Sequence, residues 1–244
     1  MKRAAFRGVV LVAGLVLSGM SGLARADRPI VSLAPFVWGP SLKGQLNEGP
    51  ITIPLDAGIG DLAGGIRGGG MLHAEVTSRR IHASVQVIYV DFHDSSFAPI
   101  LGADVRSTLF TVEALAGPVI AAGPITLSPM VGIRHTRIKG AFEAPGLGKL
   151  KAGNDWREGL VGIEAKAPLT VNLTLRTRMT VAVAGPDGQS SSDIIVAGCY
   201  RLSRTISLTG GYRWAREKVQ PATVGGFGLD LDGRGPLLGL VIDL

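Results

Sequence analysis

The sequence predicts an all-β protein, a closed antiparallel up-and-down transmembrane β-barrel of about ten strands, within a range of roughly 8–12. Three observations lead to this prediction. Apolar and polar residues alternate over long stretches, and the alternating segments reach the length of membrane-crossing strands. Long and short connections between those segments also follow one another in turn.

The clearest alternation covers residues 171–183. Its odd positions are mostly apolar, from Val171 to Val183, whereas its even positions include Arg176 and Arg178. A period of two is typical of a half-buried strand, because successive side chains point to opposite faces. The same pattern recurs at residues 72–77, 110–116, 161–166 and 206–214.

Ten segments are predicted as strands on this basis. Most of them reach the ~9–11 residues that a tilted strand needs to cross a bilayer. The predicted strands cover residues 30–43, 67–78, 81–93, 104–119, 125–140, 155–166, 170–183, 191–202, 205–217 and 229–243. No stretch beyond residue 27 has a convincing helical stripe.

The connections alternate in length without exception. Short ones lie at Arg79-Arg80 and Ser203-Arg204 and near residues 122 and 168, and the long ones hold the Gly- and Pro-rich material. Short periplasmic turns and longer external loops are typical of outer-membrane barrels. An even strand count then places both termini on the periplasmic side.

Residues 1–26 are predicted to be a cleavable signal peptide. Lys2, Arg3 and Arg7 precede an apolar run, and Ala24 and Ala26 fit the small-residue cleavage rule. The run is too short for a membrane-spanning helix, which needs ~20 apolar residues. Residues 27–244 would then form one barrel domain in the bacterial outer membrane.

The charge balance argues against nucleic acid as a partner. Four of the 25 basic residues lie in residues 1–26, which hold no acid, so the remaining 21 nearly balance 19 acidic residues. The chain has 1 cysteine, Cys199, which excludes an intrachain disulfide. We expect Cys199 to be inert inside the barrel.

Charged side chains on the predicted strands fall on the polar faces. Because a lipid-facing Arg at mid-depth costs roughly 2–4 kcal/mol, these residues are expected to point into the barrel interior, the lumen. We interpret them as a charge network that fills the lumen, with a narrow anion-favouring pore as the alternative. Its members are Glu75, Glu113, Arg134, Glu164, Lys166, Arg176, Arg178 and Arg213.

One segment has elements of a Ser/His/acid arrangement. His82 and Ser84 are two residues apart on one strand, and Glu75 lies on the neighbouring strand. The spacing is common by chance, and the segment lies at the predicted periplasmic end, so lumen hydrogen bonding is the better interpretation. A lipid-modifying outer-membrane enzyme is the second alternative.

No metal or cofactor site is predicted. His73, His93 and His135 lie on different strands without ligand spacing. The stretch Asp230-Leu231-Asp232-Gly233 lacks the other ligands of a calcium loop. We interpret its acids, together with Asp155 and Asp187, as solvated acids in or beside external loops.

Several segments resemble a group of uncharacterised outer-membrane β-barrel proteins of Gram-negative bacteria. The resemblance covers most of residues 27–244 and rests on the segments 35–38, 89–92, 156–162, 210–214 and 235–239, together with Gly44. It implies the fold and the compartment, and it supplies no catalytic or ligand residue. The chain departs from such proteins in ending with Leu244 rather than an aromatic residue.

From these observations we expect a monomeric outer-membrane barrel that acts structurally or through its loops, without catalysis. Its expected partners are outer-membrane lipid and, during export, periplasmic chaperones and the barrel-assembly machinery. A soluble calycin-like barrel is the competing architecture, and it would turn its apolar face inward. Candidates for an interfacial aromatic girdle are Trp38, Tyr89, Phe92, Phe110, Tyr200, Tyr212 and Trp214.

Overall fold

The structure is a computed structural model that describes residues 29–48, 51–98, 103–144, 148–186, 188–220 and 227–244. The predicted signal peptide lies outside the described residues. These residues form thirteen strands: β1 (Ile30–Trp38), β2 (Ser41–Glu48), β3 (Ile51–Ala57), β4 (Ile66–Thr77), β5 (Ile81–Ala98), β6 (Ala103–Pro118), β7 (Ile120–Ala122), β8 (Ile125–Ala144), β9 (Gly148–Pro168), β10 (Leu173–Ala184), β11 (Ser190–Arg201), β12 (Ile206–Val219) and β13 (Phe227–Asp243). A short helix, α1 (Ile59–Gly65), lies between β3 and β4.

Ten of these strands form a closed ring. The hydrogen-bonded order is β1-β4-β5-β6-β8-β9-β10-β11-β12-β13, and β13 pairs back with β1. All of these pairings are antiparallel, so the barrel is of the up-and-down type. The predicted fold class and strand number are confirmed.

The seam between β1 and β13 closes the ring near the chain terminus. Ser32 lies opposite Asp243, and the Ser32 hydroxyl donates a hydrogen bond of 2.6 Å to Asp243 Oδ1. The Leu244 amide donates to the Val31 carbonyl at 2.9 Å. These bonds satisfy polar groups that an open sheet edge would leave unpaired.

The two faces of the barrel wall differ in polarity as the alternation predicts. On β8, Val131 and Ile133 are each 66% exposed on the outside, whereas Arg134, which directly follows Ile133, is buried inside. On β12, Tyr212 and Trp214 point outward with their ring centroids 4.6 Å apart, and Arg213 points inward. This apolar-out arrangement excludes the calycin-like alternative, which would enclose the apolar face.

Several details of the sequence-based prediction are wrong. The predicted loop after residue 43 contains the β2–β3 hairpin and α1. Strand β8 continues to residue 144 and β9 begins at residue 148. Both strands therefore extend into residues 141–154, a stretch predicted to be a long loop. Trp38 also points inward, against the Arg213 guanidinium, and is no part of an outer girdle.

The wrong loop predictions share a physical cause. Beyond the bilayer a strand has water on both faces, so it needs no apolar alternation and pairs mainly through its backbone. The described residues contain no helix that is long and apolar enough to cross a membrane.

Candidate functional site

The barrel has two distinct ends. The end that holds the tight connections β4–β5, β7–β8, β9–β10 and β11–β12, together with Leu244, is called the turn end. The opposite end, with the β2–β3 hairpin and the β8–β9 extension, is called the loop end. In outer-membrane barrels the short turns are periplasmic and the longer loops are external.

A first group of charged side chains lies near the turn end and is called the turn-end cluster: His73, Glu75, His82, Glu164, Lys166 and Arg176. Two basic groups bridge two carboxylates within it. Lys166 Nζ lies 3.0 Å from Glu75 Oε1 and 3.3 Å from Glu164 Oε1. Arg176 Nη2 donates to Glu75 Oε2 and, at 2.8 Å, to Glu164 Oε2.

Each of the two histidines of this cluster lies near a different carboxylate, His73 near Glu75 and His82 near Glu164. His73 Nε2 lies 3.1 Å from Arg176 Nη2 and 3.5 Å from Glu75 Oε2. His82 is fixed through Nδ1, which lies 2.9 Å from Thr77 Oγ1. Its Nε2 lies 3.7 Å from Glu164 Oε1 and has no hydrogen-bond partner among the described residues.

A second group lies deeper in the lumen and is called the central cluster: Glu113, Arg134, Glu158, Arg178, Asp193, Arg213 and Glu217. Arg134 Nε and Nη2 both donate to Glu113 Oε2, at 3.0 and 2.6 Å. Arg178 Nη2 donates to Gln86 Oε1 at 2.8 Å and lies 3.4 Å from Glu113 Oε1. Arg213 Nε donates to Asp193 Oδ2 at 2.7 Å.

All eight residues of the predicted charge network thus lie in one of the two clusters. Sequence reasoning missed three acids of the central cluster, Glu158, Asp193 and Glu217. Arg134 Nη1 lies 3.7 Å from Glu158 Oε2 and 4.0 Å from Glu217 Oε2. The alternation along the strands could have identified two of them. Glu158 is an even number of residues from Glu164 on β9, and Glu217 is an even number from Arg213 on β12, so both are expected on the lumen face.

An apolar cluster crosses the lumen toward the loop end. Trp156 on β9 packs with Val219 on β12 and Leu229 on β13, and all three are buried. Ile138 and Leu231 pack against them. Strands β9 and β13 are not hydrogen-bonded neighbours, yet they approach within 8 Å between Cα atoms.

A cavity of about 70 Å³ remains in the lumen. Its polar wall consists of His73, Gln86, Arg176 and Arg178, residues shared with or adjoining the two clusters. Cys199 and Thr209 also line it, with their side-chain Sγ and Oγ1 atoms 3.4 Å apart. Its apolar wall consists of Ala34, Phe36, Ile195, Ala197, Leu237 and Val241.

The His82, Ser84 and Glu75 combination is not arranged as a catalytic triad. All three side chains are buried, but the contacts of His82 are to Thr77 and Glu164, and no hydrogen bond joins it to Ser84 among the described contacts. Glu75 is engaged by Lys166 and Arg176. A nucleophile needs a base within hydrogen-bond reach, and here the imidazole is directed elsewhere.

The other candidate residues lie apart from these clusters. His135 Nδ1 lies 3.5 Å from Asp155 Oδ1 toward the loop end, where Asp155 is part of β9. Asp230 and Asp232 are in β13, where they face Lys218 and Arg216 in the β12 register. Asp187, interpreted from the sequence as a loop acid, lies outside the described residues.

No family model and no curated protein matches this sequence. Among solved structures, the outer membrane protease OmpT from Escherichia coli aligns with 91% of this chain and 99% of its own, at a TM-score of 0.57 and 9% identity. A major outer membrane protein from Thermus thermophilus gives a TM-score of 0.46 at 12% identity, covering 89% of this chain and 100% of its own. The attachment invasion locus protein Ail of Yersinia pestis gives 0.39 at 10% identity, covering 90% and 100%.

At 9% identity, the comparison with OmpT shows a similar backbone fold and gives no information about the side chains in the lumen. It agrees with the ring of strands and with the apolar outer face described above. The chain therefore has the fold of the Gram-negative outer-membrane β-barrel proteins.

Proposed function

We propose that this protein is a monomeric, non-catalytic barrel of the outer membrane with a closed lumen, acting through its structure and its loop-end surface. The observation that supports this most directly is the contact of Trp156 with Val219 and Leu229 across the lumen. Water and ions have no polar path through a packed apolar layer, so this cluster opposes conduction.

The two charged clusters support the same proposal. Their guanidinium and ammonium groups face carboxylates at salt-bridge distance rather than open water. A pore selective for anions needs cationic groups that are available to the passing ion. Mutually paired charges fill space and rigidify the wall instead.

The loop-end surface is organised by exposed ion pairs between neighbouring strands. Lys43 Nζ lies 3.3 Å from Asp56 Oδ2 across the β2–β3 hairpin, and Arg216 Nε lies 3.5 Å from Asp232 Oδ1 across β12–β13. Such a surface is polar, and we propose that outer-membrane lipid is the partner of the apolar belt below it.

Planar-bilayer recording of the refolded full chain tests the closed lumen. We expect no discrete conductance steps in salt solution, with a general porin as the positive control. Trp156→Ala removes the centre of the apolar cluster and is expected to introduce conductance steps, whereas Trp214→Ala, which removes an outward-facing ring, is not. Anion-selective steps from the unmodified protein would establish the pore alternative instead.

The lipid-modifying alternative has a separate test. OmpT, which shares this fold, is named a protease, so the fold itself is compatible with an enzyme. Expression of the protein and of Ser84→Ala is expected to leave the outer-leaflet lipids identical by mass spectrometry. A lipid species that depends on the protein and disappears with Ser84→Ala would contradict the non-catalytic proposal.

A further inference from the structure

We infer that Glu75, His82 and Glu164 form a binding site for a divalent transition-metal ion, with zinc as the first choice. One potential ligand atom from each residue lies within 4.8 Å of the other two. All three side chains are buried in the lumen near the turn end. This site is independent of the proposed closed-barrel function.

The two carboxylates present a matching pair of oxygens to the site. Arg176 Nη2 contacts the Oε2 atoms of both Glu75 and Glu164, so these oxygens are held from one side. The Oε1 atoms of both face Lys166 Nζ. His82 Nε2 lies 3.7 Å from Glu164 Oε1, close to the separation of about 3.3 Å that follows from zinc–ligand distances of about 2.0–2.1 Å in a tetrahedron.

The orientation of His82 is the independent observation that points to a ligand. The side chain is 1% exposed, and its Nε2 has no hydrogen-bond partner among the described residues while it faces the carboxylates. Its Nδ1 is held by Thr77 Oγ1 at 2.9 Å. A second hydrogen bond that fixes the ring is a regular feature of metal-ligating histidines.

Lys166 marks the place of the cation. Its ammonium lies between the two Oε1 atoms, and its side chain is one-quarter exposed at the turn end. A metal ion entering from that end would displace the ammonium toward solvent and take over both oxygens. Lys166 therefore competes with the metal for the same two oxygens and lowers the affinity of the site for the metal. Replacement of the ammonium by a divalent ion adds one positive charge to the cluster.

The ligand types favour zinc over hard cations. Imidazole nitrogen suits transition metals, whereas Ca²⁺ and Mg²⁺ prefer oxygen-only sites. The three ligands come from β4, β5 and β9, which the barrel closure brings together. The sequence-based expectation of no metal relied on histidine spacing along the chain, which does not reveal such a set.

The test is metal binding to the refolded full-length barrel in detergent, by calorimetry with Zn²⁺ and by visible absorption with Co²⁺. We expect one ion per barrel and a tetrahedral Co²⁺ spectrum. His82→Ala and Glu164→Gln are expected to lose this binding. Thr77→Val, which removes only the bond to Nδ1, is expected to weaken it about tenfold.

Lys166→Met is the most informative variant, because it keeps the aliphatic stem and removes the competing charge. We expect it to tighten Zn²⁺ binding by about tenfold or more, because removal of the ammonium makes the site more negative by one charge and so more attractive to a cation. The Lys166→Met measurement remains informative even if the variants that remove a ligand fail to fold. Folding of each variant is checked by heat-modifiability on gels.

His135→Ala is the matched control, because His135 lies beside Asp155 at the other end of the barrel. Binding that is lost in His135→Ala and retained in His82→Ala would overturn the assignment. No Zn²⁺ binding to Lys166→Met would also overturn it. Equal binding of Ca²⁺ or Mg²⁺ would contradict the assignment to a transition metal.

Discussion

Arg134 on β8 and Glu113 on β6 lie directly opposite each other in the strand register, and two hydrogen bonds to one carboxylate oxygen join them inside the barrel. Both side chains are buried. The second oxygen of Glu113 lies 3.4 Å from Arg178 Nη2, so a single carboxylate serves two guanidinium groups. Glu113 therefore joins two of the three arginines of the central cluster.

Removing this carboxylate is expected to destabilise the barrel strongly. In Glu113→Ala, Arg134 and Arg178 lose their shared partner, and breaking a buried pair on one side costs about 3–5 kcal/mol. The free energy of unfolding in lipid vesicles, measured by urea titration, checks this prediction. Glu113→Ala combined with Arg134→Met is expected to recover part of the loss, because fewer charges are then left unpaired.

Asp56→Ala is the control for this prediction. Asp56 pairs with Lys43 at 3.3 Å, but both side chains are more than half exposed. Exposed pairs contribute about 0–1 kcal/mol, so little change is expected. Equal losses in Asp56→Ala and Glu113→Ala would contradict the view that burial makes the central cluster important.

An arginine on the outer face tests the position of the apolar belt. Val131 is strongly exposed on β8, well inside the strand from its turn-end start at Ile125, and we expect it to lie near the middle of the bilayer. Val131→Arg is therefore expected to cost about 2–4 kcal/mol of unfolding free energy in vesicles. Ile125→Arg, at the turn end of the same strand, is expected to cost about 0–1 kcal/mol. Similar costs at both positions would show that no bilayer surrounds Val131.

The barrel strands were predictable because lipid and lumen impose opposite demands on alternate residues. The segment 206–214 illustrates this, since Leu208, Tyr212 and Trp214 face outward and Arg213 faces inward. Where the strands leave the bilayer, this contrast ends. The prediction consequently stopped β5 at residue 93 although the strand continues to Ala98, and it treated the β2–β3 hairpin as a loop.

The members of the candidate site were easier to predict than their partners. Parity along a strand indicates that Glu75, Lys166 and Arg176 point inward. It does not indicate that Lys166 and Arg176 both meet Glu75, because β4 and β9 are not neighbours and the contact crosses the lumen. Such contacts follow from barrel closure and stagger, which a single strand does not encode.

Glycine at position 132 permits a close approach between strands. A Cβ atom there would lie 1.9 Å from the Ala114 carbonyl oxygen on β6, so Gly132→Ala requires a backbone shift. We expect a loss of about 1–3 kcal/mol in unfolding free energy. Gly70→Ala, on β4, is the matched control, because nothing lies within 4 Å of its Cβ position. A Gly132→Ala variant as stable as Gly70→Ala would contradict the close approach of β6 and β8.

Cys199 is the single cysteine of the sequence, so a thiol reagent can probe the lumen cavity in the unmodified protein. Its cavity is lined by Arg176 and Arg178 but by no carboxylate among the described residues. Both guanidinium groups are paired with carboxylates behind the wall, so we expect only a modest positive potential at the thiol. In the folded barrel we expect a small anionic methanethiosulfonate to modify Cys199 faster than a cationic one of similar size, because like charges repel. Mass spectrometry of timed samples measures both rates. In urea-unfolded protein the two rates are expected to converge, since the arginines are then dispersed. Faster modification by the cationic reagent in the folded barrel would mean that the carboxylates, rather than Arg176 and Arg178, dominate the cavity.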